Sequence, residues 1–554
     1  MTPVTRATPT ALALLLAATV TAAAQPQQTF TRADSVRGSL TSPERTWWDV
    51  TFYDLHVAIS PADSSIRGHN AISYRVVGPP TEMQIDLQPP LEVDSMVQNG
   101  RAVTFRRDGN AFFATLTAPQ PEGETQTLTV YYSGQPHAAV RPPWDGGFSW
   151  GQDSLGRPWV VTTAQGIGAS IYWPNKDTQA DEPDSQRVAL TLPDPMISVT
   201  NGRLRSVTPN GDGTTTYETF VTNPINNYTI AVAAGSHAHF SDLYEGERGW
   251  LTLDYWPLDY NLEAAQRQFP QARTTLQCFE HWFGPYPFYE DGYKLVEVSN
   301  NGMEHQSAIA YGNRYANGYQ GRDASGTGYG MEWDFIIVHE SAHEWFGNSI
   351  TTKDLADMWV HEAFANYSEG LYTECQFGKE AGAEYVIGTR RGIRNDRPII
   401  PPYGVNASGS GDMYPKGGNM LHTIRQIVND DEQWRGILRG LNETFWHQTV
   451  MGTDIQAYMI EEAGVDLTKV FEQYLTTTDV PALEYRIEGN SLSYRWADVV
   501  PGFDMQVGVT LSDDGFAVVH PTAEWQTAEL RLSDTADFSV DPNYYVVPRQ
   551  VEGR

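Results

Sequence analysis

The period of the hydrophobic pattern changes twice along this chain, and that limits its fold more than any other feature. From about residue 45 to 240 apolar residues alternate with polar ones: Tyr53, Leu55, Val57 and Ile59, then Ile72, Tyr74 and Val76, then Leu128, Val130 and Tyr132. Alternation of this kind places one set of side chains on one face of a strand. Asp108-Gly109 separates two such runs as a hairpin turn, and Pro142-Pro143-Trp144-Asp145-Gly146-Gly147 reads as a loop. From about 241 the spacing becomes three and four, which predicts helices over 262–283, 331–346, 359–377 and from Met420 to Val428. Beyond Val480-Pro481 alternation returns in Leu483, Tyr485 and Ile487, turns at Gly489-Asn490, and continues in Leu492, Tyr494 and Trp496. The expected fold is multidomain α+β. An N-terminal β-sheet domain spans 25–240, a mainly helical domain 241–480 and a small C-terminal β-sandwich 481–554.

Ahead of these lies Arg6, an apolar run from Ala11 to Val20 and Ala22-Ala23-Ala24. A basic start, a short apolar stretch and small residues before a cleavage point predict a secretory signal over 1–24 and export to the periplasm or the cell exterior. The run is shorter than the roughly 20 residues a membrane-spanning helix needs, and no second long apolar run follows, so membrane insertion is not expected. Asp and Glu number 68 against 37 Lys and Arg, a net charge of −31. A surface so acidic repels phosphate backbones, which argues against a nucleic-acid partner. Only six of the basic residues are Lys, a balance similar to that of salt-adapted proteins. Two cysteines, Cys278 and Cys375, are too few for a disulfide scaffold; they form one bridge or two buried thiols.

The densest chemistry is Val338-His339-Glu340-Ser341-Ala342-His343-Glu344. Positions i and i+4 share a helix face, so His339 and His343 can offer two imidazoles to one metal ion, with Glu340 between them as general base toward a water there. A tetrahedral catalytic zinc needs a third protein ligand. The arrangement with a glycine three residues and a histidine six residues past His343 is ruled out, because those positions hold Phe346 and Ser349. The next candidate helix carries His361 and Glu362, about 100° apart around its axis, so one of the two can face the metal. Glu369 returns to the face of Glu362 and could orient a ligand.

Together with the surrounding Asp357-Met358-Trp359-Val360-His361-Glu362-Ala363-Phe364-Ala365, the motif resembles the zinc aminopeptidases of the aminopeptidase N family, which carry HExxH, eighteen residues and a Glu. The resemblance implies a thermolysin-like catalytic domain over 241–480, one Zn2+ per chain, and Glu362 as the third ligand. Asn301-Gly302-Met303-Glu304-His305 is similar to the family element Gly-x-Met-Glu-Asn, with Asn301 and His305 as departures. It implies that Glu304 binds the substrate amine and that the backbone at Gly302 and Met303 pairs with the peptide. Gln165, nine residues before Pro174, matches a second amine-binding position. Tyr414-Pro415-Lys416-Gly417 resembles Tyr-x-Lys-Gly and implies that Tyr414 donates to the oxyanion.

The implied function is hydrolysis of the first bond of peptides that have a free N-terminus. A zinc endopeptidase or an epoxide-hydrolysing relative is the alternative, and a catalytically dead scaffold is disfavoured because every catalytic letter is present. The charge balance carries a prediction of its own. Acidic self-repulsion is screened by salt, whose Debye length falls to about 3 Å at 1 M. The melting temperature should therefore rise from low to molar salt; a flat or falling thermal scan would contradict it.

Overall fold

The computed structural model describes residues 29–552, so the expected signal over 1–24 lies outside the described residues. The first half is built on a ten-stranded sheet. At its centre β1 (Trp48–Ser60) pairs antiparallel with β2 (Ser65–Val76) and parallel with β3 (Ser185–Pro193). The alternating residues Tyr53, Leu55, Val57, Ile72 and Tyr74 all point into the core, as their period requires. The Asp108-Gly109 turn joins two adjacent strands of this sheet. A second, four-stranded sheet contains Gly147–Gln152, Pro158–Thr163, Ile197–Val199 and Ala233–Gly235.

The region after 241 opens with strands before its helices. Phe240–Gly246, Gly249–Trp256 and Tyr293–Glu297 form a five-stranded sheet with β4 (Gly302–Met303) and β5 (Ile309–Tyr311), and β4 lies at one of its two edges. The helix expected over 262–283 is interrupted by Phe269-Pro270, because proline lacks the N–H that would continue it. Its second part is α1 (Gln271–Phe283). The helix expected from Met331 begins later as α2 (Phe335–Ala342), because the Asp334 carboxylate accepts from Ile336 N and Ile337 N and fixes the start there. The third helix, α3 (Trp359–Phe377), has the expected bounds. The fourth, α4 (Pro415–Val428), starts five residues before Met420, with proline at its first position and Tyr414 as its N-cap.

The C-terminal residues form a four-stranded sheet, from Ala482–Glu488, Ser491–Ala497, Gln526–Glu529 and Val547–Gln550, and a separate hairpin, Val507–Ser512 with Gly515–Val519. Their buried residues share one core with the helices: Leu483, Trp496 and Val507 cluster with Leu421 and Tyr474. The N-terminal sheets have their own core. A small third cluster joins the halves, with Val161, Val199 and Ala233 meeting Val296, Met303 and Ala310. Among the described residues no helix is long and apolar enough to cross a membrane.

Cys278 on α1 and Cys375 on α3 form a disulfide across 97 residues of chain. The bridge clamps the far end of the helix that carries Glu362. Closing a loop of this length stabilises mainly by restricting the unfolded chain, by about 2–5 kcal/mol. The double variant Cys278→Ser, Cys375→Ser should melt well below the wild type in calorimetry, and an equal melting temperature would show that packing alone holds the two helices.

Candidate active site

His339 and Glu340 lie in the last turn of α2 and His343 follows directly, still with helical backbone angles (φ −65°, ψ −18°), so the two imidazoles remain on one face. His343 Nδ1 is 2.9 Å from the Phe346 carbonyl oxygen, which can only accept. That nitrogen therefore carries a proton, which leaves Nε2 as the nitrogen that can bind a metal. His339 Nδ1 is 2.8 Å from Glu369 Oε1, with the same result. Glu369 is itself fixed by the Tyr385 hydroxyl at 2.8 Å and Asn366 Nδ2 at 3.2 Å.

Between the two Nε2 atoms sits Glu362 Oε2, 3.7 Å from His339 and 3.4 Å from His343. This oxygen is buried and has no hydrogen-bond partner. Ligands about 2.0–2.1 Å from a tetrahedral zinc lie roughly 3.4 Å from one another. The spacing, the two lone pairs and the orphaned carboxylate oxygen fit a zinc ion, and the three donors form the one such group among the described residues. His361 turns away: its Nε2 accepts from Thr352 N at 2.9 Å.

Glu304 ends the edge strand β4 on the same cavity. Its Oε1 accepts from Gln165 Nε2 at 2.5 Å and from the Tyr228 hydroxyl at 3.1 Å, and its backbone oxygen accepts from Asn348 Nδ2 at 2.9 Å. Gln165 Nε2 also lies 3.3 Å from Glu362 Oε1. A side chain at Gly302 would place Cβ 2.8 Å from Glu340 Oε1, so glycine is what lets the strand approach the base. Tyr414 faces the metal ligands from the other side, its ring 6.0 Å from that of His339.

These residues line a cavity of about 680 Å3. Its wall contains Glu304, Glu340, Glu362 and Glu369 and not one Lys or Arg. Burial pushes the Glu340 carboxyl up to about 7, against the pull of His339 and His343. Burial likewise raises Glu304. Burial also works to raise Glu362, but the two imidazoles outweigh it and hold that carboxyl below the usual range. Burial, then Glu362 and Glu304, push the Tyr414 phenol well up, so it stays protonated and can donate.

Residues 267–474, which include every metal-binding candidate, match the peptidase family M1 domain. This region is similar to an M1 peptidase domain. Among curated proteins it is 23% identical over 237 residues to "Probable aminopeptidase 1" of Sulfurisphaera tokodaii, covering 40% of this chain and 30% of that one. It is 22% identical over 296 residues to "Leucyl aminopeptidase" of Saccharolobus solfataricus (51% and 37%) and 23% over 230 residues to "Aminopeptidase N" of Lactococcus lactis (37% and 27%). The chain thus spans about a third of the length of the curated relatives it matches. In fold it is similar to the M1 zinc metallopeptidase of Deinococcus radiodurans, with a TM-score of 0.67 at 20% identity over 80% of this chain and 97% of that one.

The M1 domain supplies the histidines, Glu340, Glu362, Glu369, Glu304 and Tyr414, whereas Gln165 and Tyr228 reach it from the N-terminal half. Sequence reasoning missed Tyr228, Asn348, Asn366 and Tyr385. The last two lie on the faces that pack around Glu369, which helical spacing could have indicated for Asn366. Tyr228 stands 76 residues from Glu304 and carries no local signal.

Glu369 yields a test of this shell. Partners of a ligating histidine typically contribute about 10–100-fold to metal affinity. Glu369→Gln keeps the side chain's size and removes its charge, so zinc affinity, read by competition with a chromogenic chelator, should fall about tenfold or more. Equal affinity would show that the Nδ1 contact does not tune His339.

Proposed function

We propose that this chain is an exported zinc aminopeptidase that removes the first residue from peptides with a free N-terminus. The carrying observation is Glu304, a buried carboxylate held by Gln165 and Tyr228 at the end of a free sheet edge, in a cavity that no Lys or Arg side chain lines. A buried carboxylate needs a positive partner, and a substrate ammonium is one. The relatives' names support the same reading.

Zinc held by His339, His343 and Glu362 would supply a Lewis acid that polarises the scissile carbonyl and acidifies a water. Glu340, between the two histidines on the same cavity, takes a proton from the attacking water and delivers it to the leaving amine. The Tyr414 hydroxyl donates a hydrogen bond to the oxyanion that develops on the carbonyl oxygen. The backbone of Gly302 and Met303, at the open edge of the sheet, pairs with the extended peptide. Glu304 and Gln165 hold the amine, so that only the first peptide bond reaches the ligands. Export is supported by the leader-like residues 1–24 and by the Cys278–Cys375 bridge, which suits an oxidising compartment.

An N-acetylated peptide brings no charge and extra bulk to Glu304. Losing a buried charge pair costs about 3–5 kcal/mol, so the blocked peptide should be cut at least about 10²-fold more slowly than the free one. Glu304→Ala should remove most of that preference by slowing the free peptide. Similar rates on both peptides, or cleavage inside the chain, would leave a zinc hydrolase without the exopeptidase assignment.

A further inference from the structure

The loop Pro142–Gly147 has so far carried no role. Pro143 and Trp144 belong to the wall of the catalytic cavity, on the side of Gln165 and Gly166. Val140 and Trp144, 82% and 70% exposed, are the two most exposed large hydrophobic residues among those described. Single exposed apolar residues are ordinary on a protein surface. An indole that is largely exposed and also lines the catalytic cavity is placed differently, because it stands where the cavity meets solvent.

The loop is built to hold that position. The Asp145 carboxylate accepts from Val140 N at 2.8 Å and from Arg141 N at 2.9 and 2.8 Å. Trp144 N donates to Arg141 O at 3.0 Å and Gly146 N to Pro143 O at 3.1 Å, closing two successive turns. Gly146 (φ 65°) rests against Ile167 so closely that a Cβ would lie 2.3 Å from Ile167 Cγ2. The loop is thereby seated on the segment that carries Gln165. The indole itself has no hydrogen bond, ring stacking or cation contact to any described residue, so its faces are available.

We propose that Trp144 is a specificity-determining residue: its indole covers the side chain of the substrate's first residue and selects aromatic and large aliphatic residues over small ones. This rests on the aminopeptidase reading. The first side chain leaves the same carbon as the amine that Glu304 and Gln165 hold. It therefore starts beside Gln165, where the wall continues through Gly166 to Pro143 and Trp144. Aromatic and aliphatic groups gain both area and ring contact from an indole, and a methyl group gains little of either.

The test uses the full zinc-loaded protein with phenylalanyl, leucyl and alanyl 4-nitroanilides. Wild-type protein should favour the first two. Trp144→Ala should lower the ratio of kcat/KM for phenylalanyl over alanyl substrate by roughly five- to tenfold, mostly through KM. Trp144→Phe should recover most of it. Titration of phenylalaninamide into the Glu340→Gln protein, read by calorimetry, should weaken in parallel when Trp144 is also replaced by Ala. An unaltered ratio in Trp144→Ala, or a wild-type preference for alanyl substrate, overturns the assignment of Trp144 alone. Wild-type protein that cleaves none of the three reporters overturns the aminopeptidase reading, and this assignment with it.

Discussion

Crowding of carboxylates in a desolvated cavity is the constraint on which the site depends. Four glutamates line one space, and no lysine or arginine side chain enters it. The nearest candidate in sequence, Lys416, sits two residues from Tyr414, yet its ammonium turns out to the Thr477 carbonyl oxygen at 2.8 Å. Burying an unpaired carboxylate is costly, and a permanent salt bridge would have been the simple remedy. The fold instead leaves the charge open, which suits a divalent ion at one end and, on the aminopeptidase reading proposed above, a substrate ammonium at the other. The two histidines are prevented from serving as counter-ions when the ion is bound, because Glu369 and the Phe346 carbonyl fix their protons on the far nitrogens.

Holding like charges this close requires backbone that can approach without side chains intervening. Gly302 admits the edge strand to Glu340, and Gly417 and Gly418 let α4 settle on Ala363 and Asn366 of α3, where a Cβ would lie within 2.5 and 2.4 Å of them. The second approach sets the position of Tyr414, which caps the same helix. A side chain at Gly302 would press on Glu340 directly, whereas one at Gly417 or Gly418 would displace Tyr414 through α3 and α4.

What could be read from the sequence follows the range of the interaction. His339, Glu340 and His343 were legible because a helix brings i and i+4 together, and α3 was legible because its apolar period runs unbroken from Trp359 to Phe377. The start of α2 was misplaced by four residues because periodicity alone does not register that the Asp334 carboxylate captures two backbone N–H groups. The choice between His361 and Glu362 needed a family resemblance, since both spacings reach the cavity and only the tertiary contact of His361 with Thr352 separates them. Tyr228 and the Cys278–Cys375 bridge depend on contacts across 76 and 97 residues, and no local pattern encodes them. The C-terminal strands were visible as strands, but their merger with the helical core was not, because alternation reports which face is buried and not what buries it.

The small junction of Val161, Val199 and Ala233 with Val296, Met303 and Ala310 has a consequence for the life of the chain before it is finished. Glu304 receives Gln165 and Tyr228 only across that junction. Either half folded by itself holds an incomplete pocket: one carries His339, His343, Glu362 and Glu304, the other the two groups that fix Glu304. In a chain still folding, the metal ligands can therefore come together before the Glu304 end of the cavity is built.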